Sequence, residues 1–239
     1  AEAANVSLPV MINMDGFILT HMIEPIEYWD EDQVKKYLPE FKPVNQLHPD
    51  RPVTMGAFGM PFIFTETKKA QDEALIASKP EIVKAWSELH EVVGRSYKPV
   101  ETYRLDGAEV AYVTMGSFSE TASLAVDELR SQGKPVGQIR LRLWRPFPFE
   151  ELREVTRGLK RLVVIDRAIS FGGPGGPVSS EIRSALYEEE HAPSVTNFIC
   201  GLAGRDVSPD DFIAMYQQAE EMSRGTVRQE DYVYHGVRE

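Results

Sequence analysis

The second half of the chain alternates short apolar runs with amphipathic stretches. Four runs rich in Val, Ile and Leu predict buried strands at 109–115, 136–144, 161–167 and 195–199. Helical spacing of apolar residues predicts helices that follow them at about 118–132, 149–158, 178–190 and 209–223. Strands that alternate with helices form a parallel sheet with helices on both faces. The pattern therefore predicts an α/β domain, a three-layer parallel sheet, at 100–224.

Two of the predicted helices carry start signals. Ser117 is followed three residues later by Glu120, which is a capping-box pattern. Ser208 precedes Pro209, with Asp211 in the first turn, and proline at a first helical position needs no backbone N–H. We expect both serines to cap their helices.

The first half of the chain has a different pattern. Residues 8–17 predict one buried strand ending at Asp15 and Gly16, a Pro-rich stretch follows at 39–61, and one or two helices, interrupted near Pro80, are predicted at 66–97. One strand cannot form a sheet. We therefore predict that residues 1–30, with Ile12 in the strand, are the end of a second α/β domain whose other strands lie outside this chain. Residues 31–99 are predicted as a linker with helices.

The last stretch, 225–239, has no helical period but contains aromatic residues. Tyr232, Val233 and Tyr234 have no predicted local partner. Exposed aromatic side chains are typical of interfaces. We predict an extended tail that lies across a neighbouring subunit and buries Tyr232 or Tyr234 there; the alternative is a tail that folds back on its own domain or has no fixed structure.

The composition argues against several classes of function. Lys and Arg number 26 and Asp and Glu 37, so the formal net charge is −11, which disfavours nucleic acid as a partner. No apolar run approaches the ~20 residues that a membrane span needs, and no secretion signal is present, so we expect a cytoplasmic protein without a membrane partner. The chain has one cysteine, Cys200, which excludes an internal disulfide and any Fe–S cluster held by this chain alone.

A glycine-rich loop at 171–180 leads into a predicted helix. Its backbone N–H groups and the helix dipole could bind an anion, and the candidate residues are Gly172, Gly173, Gly175, Gly176 and Ser179. The loop fits neither the Walker nor the dinucleotide pattern, since Pro177 and Val178 stand where those motifs need other residues. The alternative is a tight strand-to-helix connection capped by Ser179 or Ser180.

Three further candidates remain open from the residues alone. The loop at 201–206 either binds an anion through Arg205 or pairs Arg205 with a carboxylate. Cys200 is either a nucleophile or a small buried residue. Asp15, His21 and Glu24 are either a metal or acid–base cluster or parts of a loop at a domain junction. No catalytic residue and no metal ligand is assigned.

Four strings occur in an order that resembles the C-terminal half of the alpha subunit of pyruvate:ferredoxin oxidoreductases. They are LPVMINMDGFILTH (8–21), RPFPFEELREV (145–155), LVVIDRAISFGGPGGPVSSEIRSAL (162–186) and ICGLAGRDVSPDDF (199–212). In that family a DGF…H segment, matched by Asp15, Gly16, Phe17 and His21, closes a domain like the pyrimidine-binding domain of thiamine-diphosphate enzymes. The resemblance implies that a domain like the C-terminal domain of transketolase follows.

The resemblance also implies a function. These enzymes oxidise a 2-oxoacid, pyruvate first and others next, with coenzyme A, and use thiamine diphosphate and Fe–S clusters to reduce ferredoxin. The glutamate that activates the cofactor matches no residue here, so thiamine diphosphate, Mg²⁺ and Fe–S clusters are expected on partner chains or domains. This chain is then inactive alone and serves assembly, with candidate interface residues Ile12, Asp15, His21, Arg205, Tyr232 and Tyr234. The alternative is a stand-alone transketolase-like assembly or anion-binding module without catalysis.

Overall fold

The computed structural model describes residues 6–38, 40–43, 45–226 and 230–238. The chain forms two compact units. The first contains the residues up to Asn13 together with Met22–Lys98, and the second contains Met14–His21 together with the chain from Pro99 onward. Every helix in the described ranges is too short or too polar to span a bilayer.

Helices dominate the first unit. They are α2 (Glu31–Tyr37), α3 (Pro61–Ala77) and α4 (Lys79–Val93), and α1 (Ile18–His21) is a single turn in the second unit. The break between α3 and α4 falls at Ser78, and Pro80 lies in the first turn of α4, where a missing N–H costs no helical hydrogen bond. The predicted interruption near Pro80 is therefore confirmed, although α3 begins earlier than expected.

Helix α4 has the amphipathic face that its sequence predicts. Ile82, Trp86, Leu89 and Val93 recur at helical spacing, and each is half-buried. The short helix α2 packs against this helix, since the Tyr37 hydroxyl donates to the backbone carbonyl of Ala85 at 2.9 Å. This hydrogen bond joins α2 to α4 within the first unit.

The strand predicted over 8–17 is wrong for the described chain. Residues 6–16 have no regular secondary structure, and the side chains of Met11 and Ile12 are 82% and 91% exposed. A strand needs a neighbour to receive its backbone hydrogen bonds, and the described residues pair none with this segment. Its apolar pattern therefore remains without a partner within the described chain.

A six-stranded sheet organises the second unit. In chain order its strands are β1 (Val100–Tyr103), β2 (Val110–Thr114), β3 (Val136–Leu141), β4 (Arg161–Asp166), β5 (Ser194–Ile199) and β6 (Val233–Tyr234). Across the sheet they lie in the order β1-β3-β2-β4-β5-β6, and β1 alone runs antiparallel to its neighbour. The four predicted strands are β2 to β5, so the parallel sheet is confirmed.

Helices cover both faces of this sheet. The helices are α5 (Phe118–Ser131), α6 (Phe149–Thr156), α7 (Pro177–Leu186) and α8 (Pro209–Arg224). Buried side chains of α5 and α8 form one apolar cluster with the sheet, and those of α6 and α7 form another on the opposite face. Within the first cluster the buried Tyr112 hydroxyl donates to the carbonyl of Phe212 at 2.6 Å. The predicted three-layer α/β fold is thus confirmed.

The C-terminal tail pairs with the sheet of its own domain. Val233 and Tyr234 pair in parallel with Phe198 and Ile199 as the edge strand β6, and Val233 packs against the first apolar cluster. The expectation that these apolar groups have no internal partner is therefore wrong, because a two-residue strand is too short to show a period in sequence. An interface role for Tyr232 and Tyr234 stays a prediction.

One of the two predicted helix caps forms. Ser208 accepts a hydrogen bond from the Asp211 amide at 3.3 Å, and the Asp211 carboxylate accepts one from the Ser208 amide at 2.8 Å. The capping box predicted at Ser117 is wrong, since Ser117 is itself in helical conformation and makes no side-chain cap. Glu120 instead pairs with Arg140 at 2.8 Å across to the sheet.

Candidate functional site

The direction in which successive strands are added across the sheet reverses at β2. From β2 it crosses to β3 on one side, and from β3 it returns to β4 on the other side of β2. In open α/β sheets the crevice at the carboxyl ends of two such strands is where ligands bind. In this protein that position lies between Gly116, just after β2, and Arg167, just after β4.

Asp15 occupies this position. One of its carboxylate oxygens, Oδ1, accepts a hydrogen bond from Nη1 of Arg167 at 2.8 Å. The other, Oδ2, accepts one from the backbone amide of Ser117 at 2.6 Å. Because Ser117 lies at the start of α5, the carboxylate meets the positive end of the helix dipole. Asp15 therefore accepts the hydrogen bond of the Ser117 amide that the predicted capping box gave to Glu120.

The environment of Asp15 favours its charged form. Burial raises the pKa of this carboxyl, but the hydrogen bonds from Ser117 and the charge of Arg167 outweigh burial and lower the pKa below its ordinary value. The side chains of Asp15 and Arg167 are 26% and 35% exposed, so the ion pair is partly screened by solvent. The pair is thus suited to hold a segment in place, with a modest contribution to stability.

Two glycines allow the close approach of these groups. Gly116 has φ +60°, and a Cβ atom there would lie 2.5 Å from Oδ2 of Asp15. Gly201 has φ +65°, and a Cβ atom there would lie 2.6 Å from the ring of Phe118. The Arg167 guanidinium lies over that same ring, 4.5 Å from its centroid, which is cation–π distance. Side chains larger than hydrogen at either glycine would displace part of the site.

The glycine-rich loop does not present a free anion site. The amides of Val178 and Ser179, at the start of α7, donate to the two carboxylate oxygens of Asp166 at 2.9 and 3.1 Å. These are donors that a bound anion would need. An anion site at Gly172, Gly173, Gly175, Gly176 and Ser179 stays a prediction, which these contacts do not favour because an internal carboxylate already caps the helix. Neither Ser179 nor Ser180 provides that cap.

Asn197 connects Asp166 with the glycine-rich loop through two hydrogen bonds. Its side-chain amide donates to Oδ2 of Asp166 at 2.9 Å, and its carbonyl oxygen accepts from the amide of Gly176 at 2.9 Å. A Cβ atom on Gly176 would overlap the Asp166 carboxylate. Burial raises the pKa of Asp166, and the hydrogen bonds from Val178, Ser179 and Asn197 only partly offset it. The arrangement is a buried structural connection between β4, β5 and α7.

Among the residues that the structure describes, Arg205 in the loop after β5 forms no ion pair with a carboxylate. Its guanidinium instead donates to the backbone carbonyl of Gly236 in the tail. Cys200, at the end of β5, is 2% exposed, and burial raises the pKa of its thiol to about 12. A thiol in this state is a poor nucleophile, which favours the interpretation of Cys200 as a small buried residue.

The remaining members of the DGF…H segment make local contacts. Nδ1 of His21 lies 2.8 Å from the carbonyl of Phe17 and 3.1 Å from the hydroxyl of Thr20, and the two aromatic rings are 4.9 Å apart. Phe17 has φ +57°, an uncommon conformation for an aromatic residue. The described residues bring together no group of three His, Cys, Asp or Glu side chains for a metal, so an Asp15–His21–Glu24 metal cluster has no support.

The candidate residues predicted from the sequence did not include Arg167, Phe118 and Gly116. A signal existed for Arg167, since the Asp-Arg pair directly follows a buried strand, where α/β folds place functional groups. Nothing local connects Phe118 or Gly116 with Asp15, which is about a hundred positions away. The site as built binds and orients chain segments; its described groups include no paired nucleophile and base.

Comparison with known families identifies both halves of the chain. Residues 108–212 match a family model described as pyruvate:ferredoxin oxidoreductase core domain II. Residues 1–85 match one described as pyruvate flavodoxin/ferredoxin oxidoreductase, thiamine diphosphate-binding. Both models describe parts of one enzyme family.

Curated relatives cover the whole chain. It is 40% identical over 243 residues to pyruvate synthase subunit PorA of Thermotoga maritima, which covers 100% of this chain and 60% of the relative. It is 38% identical to PorA of Methanothermobacter thermautotrophicus over 94% of this chain and 57% of the relative. Ketoisovalerate oxidoreductase subunit VorA of Pyrococcus furiosus is 35% identical over 98% of this chain and 60% of the relative. The chain thus spans less than two thirds of the length of these relatives.

Solved structures show weaker similarity. A split-gene transketolase, an inactive beta4 tetramer, aligns with a TM-score of 0.41 and 19% identity over 52% of this chain and 43% of that one. The 2-oxoglutarate:ferredoxin oxidoreductase of Magnetococcus marinus aligns with a TM-score of 0.38 and 20% identity over 58% of this chain and 22% of that one.

Proposed function

The chain belongs to the pyruvate:ferredoxin oxidoreductase family, and we propose that it is an alpha-type subunit, or part of one, of an enzyme that oxidatively decarboxylates a 2-oxoacid. Pyruvate is the first substrate to test, because two of the three relatives described above are pyruvate synthase subunits. The ketoisovalerate relative makes a branched 2-oxoacid the next one. Coenzyme A and ferredoxin would act on the assembled complex.

The residues described here do not fit the cofactors of such an enzyme. They gather no metal-binding group of three acidic, His or Cys side chains, and the helix start that could receive a phosphate is filled by Asp166. One cysteine cannot supply the four thiolates of a usual Fe–S cluster. We therefore propose that thiamine diphosphate, Mg²⁺ and the Fe–S clusters are held by partner chains or domains, and we assign no chemical step to residues of this chain.

The role we propose for this chain is assembly. The observation that carries it is the Asp15–Arg167 ion pair, which fixes the DGF…H segment on the α/β domain. Directly before that segment, Met11 and Ile12 are almost fully exposed in the first unit. Exposed apolar runs of this kind are typical of surfaces that become buried on association. Ile12 would then be buried against a partner subunit.

Co-purification tests this proposal. A tagged full chain is expressed with its partner subunits, and every chain that co-purifies is identified by intact mass. Ile12→Lys should abolish association, because a buried charge at an interface is costly. The matched control is Leu124→Lys, which places the same charge at a 61% exposed leucine on α5.

Two results would contradict the proposal. Unchanged association of the Ile12→Lys chain would show that this segment is not at the interface. A chain that purifies alone, with no partner and no bound cofactor, would instead favour a stand-alone assembly module.

A further inference from the structure

Residues 231–237, here called the strap, are held on the second unit by contacts at several points. The amide of His235 donates to the carbonyl of Ile199 at 3.0 Å, and its Nε2 lies 2.9 Å from Oδ1 of Asp211. Two arginines hold the strap at its ends: Arg183 donates to the carbonyl of Asp231 at 2.8 Å, and Arg205 donates to that of Gly236. The strap thus crosses the sheet edge at the carboxyl end of β5.

The strap forms one wall of a cavity of about 260 Å³. Its own lining residues are Tyr234, His235 and Val237. The remaining lining comes from the end of β5 and the loop after it, and consists of Ile199, Cys200, Gly201, Leu202 and Arg205. The cavity therefore contains the one cysteine of the chain, and it is closed on one side by a segment that follows α8 in sequence.

The attachment of the strap is small compared with the core beneath it. Its ladder with β5 has two residues, whereas β4 pairs with β5 over six. Apart from the packing of Val233 on the first apolar cluster and the part-buried contact of His235 with Asp211, the strap is held by two arginine hydrogen bonds at exposed positions. Segments with few buried apolar contacts open at a free energy well below that of global unfolding.

We propose that the strap is a removable cover, which opens while the sheet stays folded and so exposes Cys200 and the carboxyl edge of β5. That edge continues the crevice in which α/β folds bind ligands. Closing the strap excludes solvent from this edge, and opening it provides access. The proposal rests on the contacts of the strap and does not depend on the proposed enzymatic function.

The reactivity of the Cys200 thiol can be used to measure this opening. While the strap is closed, burial raises the pKa of the thiol to about 12, so the reactive thiolate is rare. Opening would hydrate the thiol and return its pKa towards about 8.5, the ordinary value. With N-ethylmaleimide the thiolate sulfur bonds to one alkene carbon, and the neighbouring carbon takes a proton from water. The fraction of chains that carry the thioether adduct, measured by mass over time, therefore gives the labelling rate.

The experiment measures the labelling rate of the full chain by N-ethylmaleimide at increasing urea concentrations below the unfolding transition. Local opening exposes little surface, so we expect a rate that is nearly independent of urea at low concentration and rises only near the transition. A rate that rises from zero urea with the full slope of global unfolding would overturn the proposal, because Cys200 would then be reached only by unfolding of the domain.

A double variant tests the contacts themselves. Arg205→Ala with His235→Ala removes two attachments of the strap and should raise the labelling rate at least tenfold at zero urea. Arg157→Ala with His191→Ala is the matched control, since both residues line a different cavity, beside the start of β4 and the segment that precedes β5. The control should label as slowly as the unaltered chain. Equal rates in the two double variants would contradict the proposal, and the urea series on the unaltered chain remains decisive if the first variant fails to fold.

Discussion

The guanidinium of Arg167 donates to the carboxylate of Asp15 at 2.8 Å, although the two residues are 152 positions apart in sequence. Each belongs to one of the four strings that resemble the oxidoreductase family. The ion pair joins the two strings in the fold: one brings the carboxylate, and the other brings the arginine just after β4.

The Asp15–Arg167 pair should show a measurable coupling. In a double-mutant cycle of Asp15→Ala and Arg167→Ala, we expect a coupling free energy of about 0.5–1 kcal/mol, as is typical of partly exposed ion pairs. Urea unfolding of the full chain measures it. Asp15→Ala alone should also speed hydrogen exchange of the Ser117 amide, which loses its acceptor. Asp50→Ala, at an exposed aspartate, is the control. Zero coupling with unchanged exchange at Ser117 would disprove the role of the pair.

A side chain at Gly116 should destabilise the protein more than one at Gly107, because only the Gly116 position lies against Asp15. Gly107 has nearly the same backbone, with φ +66° against +60°, but nothing lies within 4 Å of its added Cβ atom. Both alanine variants pay the strain of positive φ, of order 1–3 kcal/mol. Gly116→Ala should lose more stability than Gly107→Ala in thermal unfolding, because its Cβ displaces Asp15. Equal losses in the two variants would show that Asp15 does not approach Gly116.

Asp166 should not be replaceable by its amide. In Asp166→Asn, one side-chain position changes from acceptor to donor while Val178, Ser179 and Asn197 still donate to it. We expect a loss of about 2 kcal/mol in the free energy of unfolding, measured with urea. Asp206→Asn, at an exposed aspartate, should be neutral. A neutral Asp166→Asn would mean that the carboxylate does not cap α7.

Protonation of Asp211 should make the protein less stable in acid. Burial raises the pKa of this carboxyl, but its hydrogen bonds with Ser208 and His235 outweigh burial and lower the pKa below the ordinary value. The stabilisation is present above about pH 4, the ordinary range of an aspartate, and is lost as the pH falls through the lowered pKa. Asp211→Asn should therefore flatten the decrease of the unfolding free energy between about pH 5 and 3.

Asp210, the residue before Asp211, provides the control for the predicted loss of stability in acid. Asp210→Asn changes an exposed carboxylate in the same first turn of α8 and should leave the pH dependence unchanged. The same slope in both variants would contradict the assignment to Asp211.

The parts of the fold that sequence predicts are those with a long local pattern. Strands β2 to β5 are each rich in Val, Ile, Leu or Phe, and Ala122, Ala125, Val126 and Leu129 repeat at helical spacing on α5, so their positions follow from the pattern of apolar residues. Strand β1 was missed because most of its residues are at least partly exposed and polar. Strand β6 was missed because two residues have no period.

The candidate site was less predictable because its contacts are non-local. The local pattern predicts that Glu120 caps Ser117, but Asp15, 102 positions earlier, accepts from the Ser117 amide instead. One interpretation of the glycine loop was a site for an external anion, but Asp166 from the preceding strand accepts from the amides at that helix start. In both cases the backbone donors were identified correctly as needing an acceptor, and only the folded chain determines which carboxylate reaches them.

The most direct test of the account is reduction of methyl viologen by the purified complex and by this chain alone. We expect the complex to reduce the dye only when a 2-oxoacid, pyruvate first, and coenzyme A are both present, and this chain alone to give no reduction. Turnover by the isolated chain, or a complete complex that is inactive with pyruvate and with branched 2-oxoacids, would contradict it.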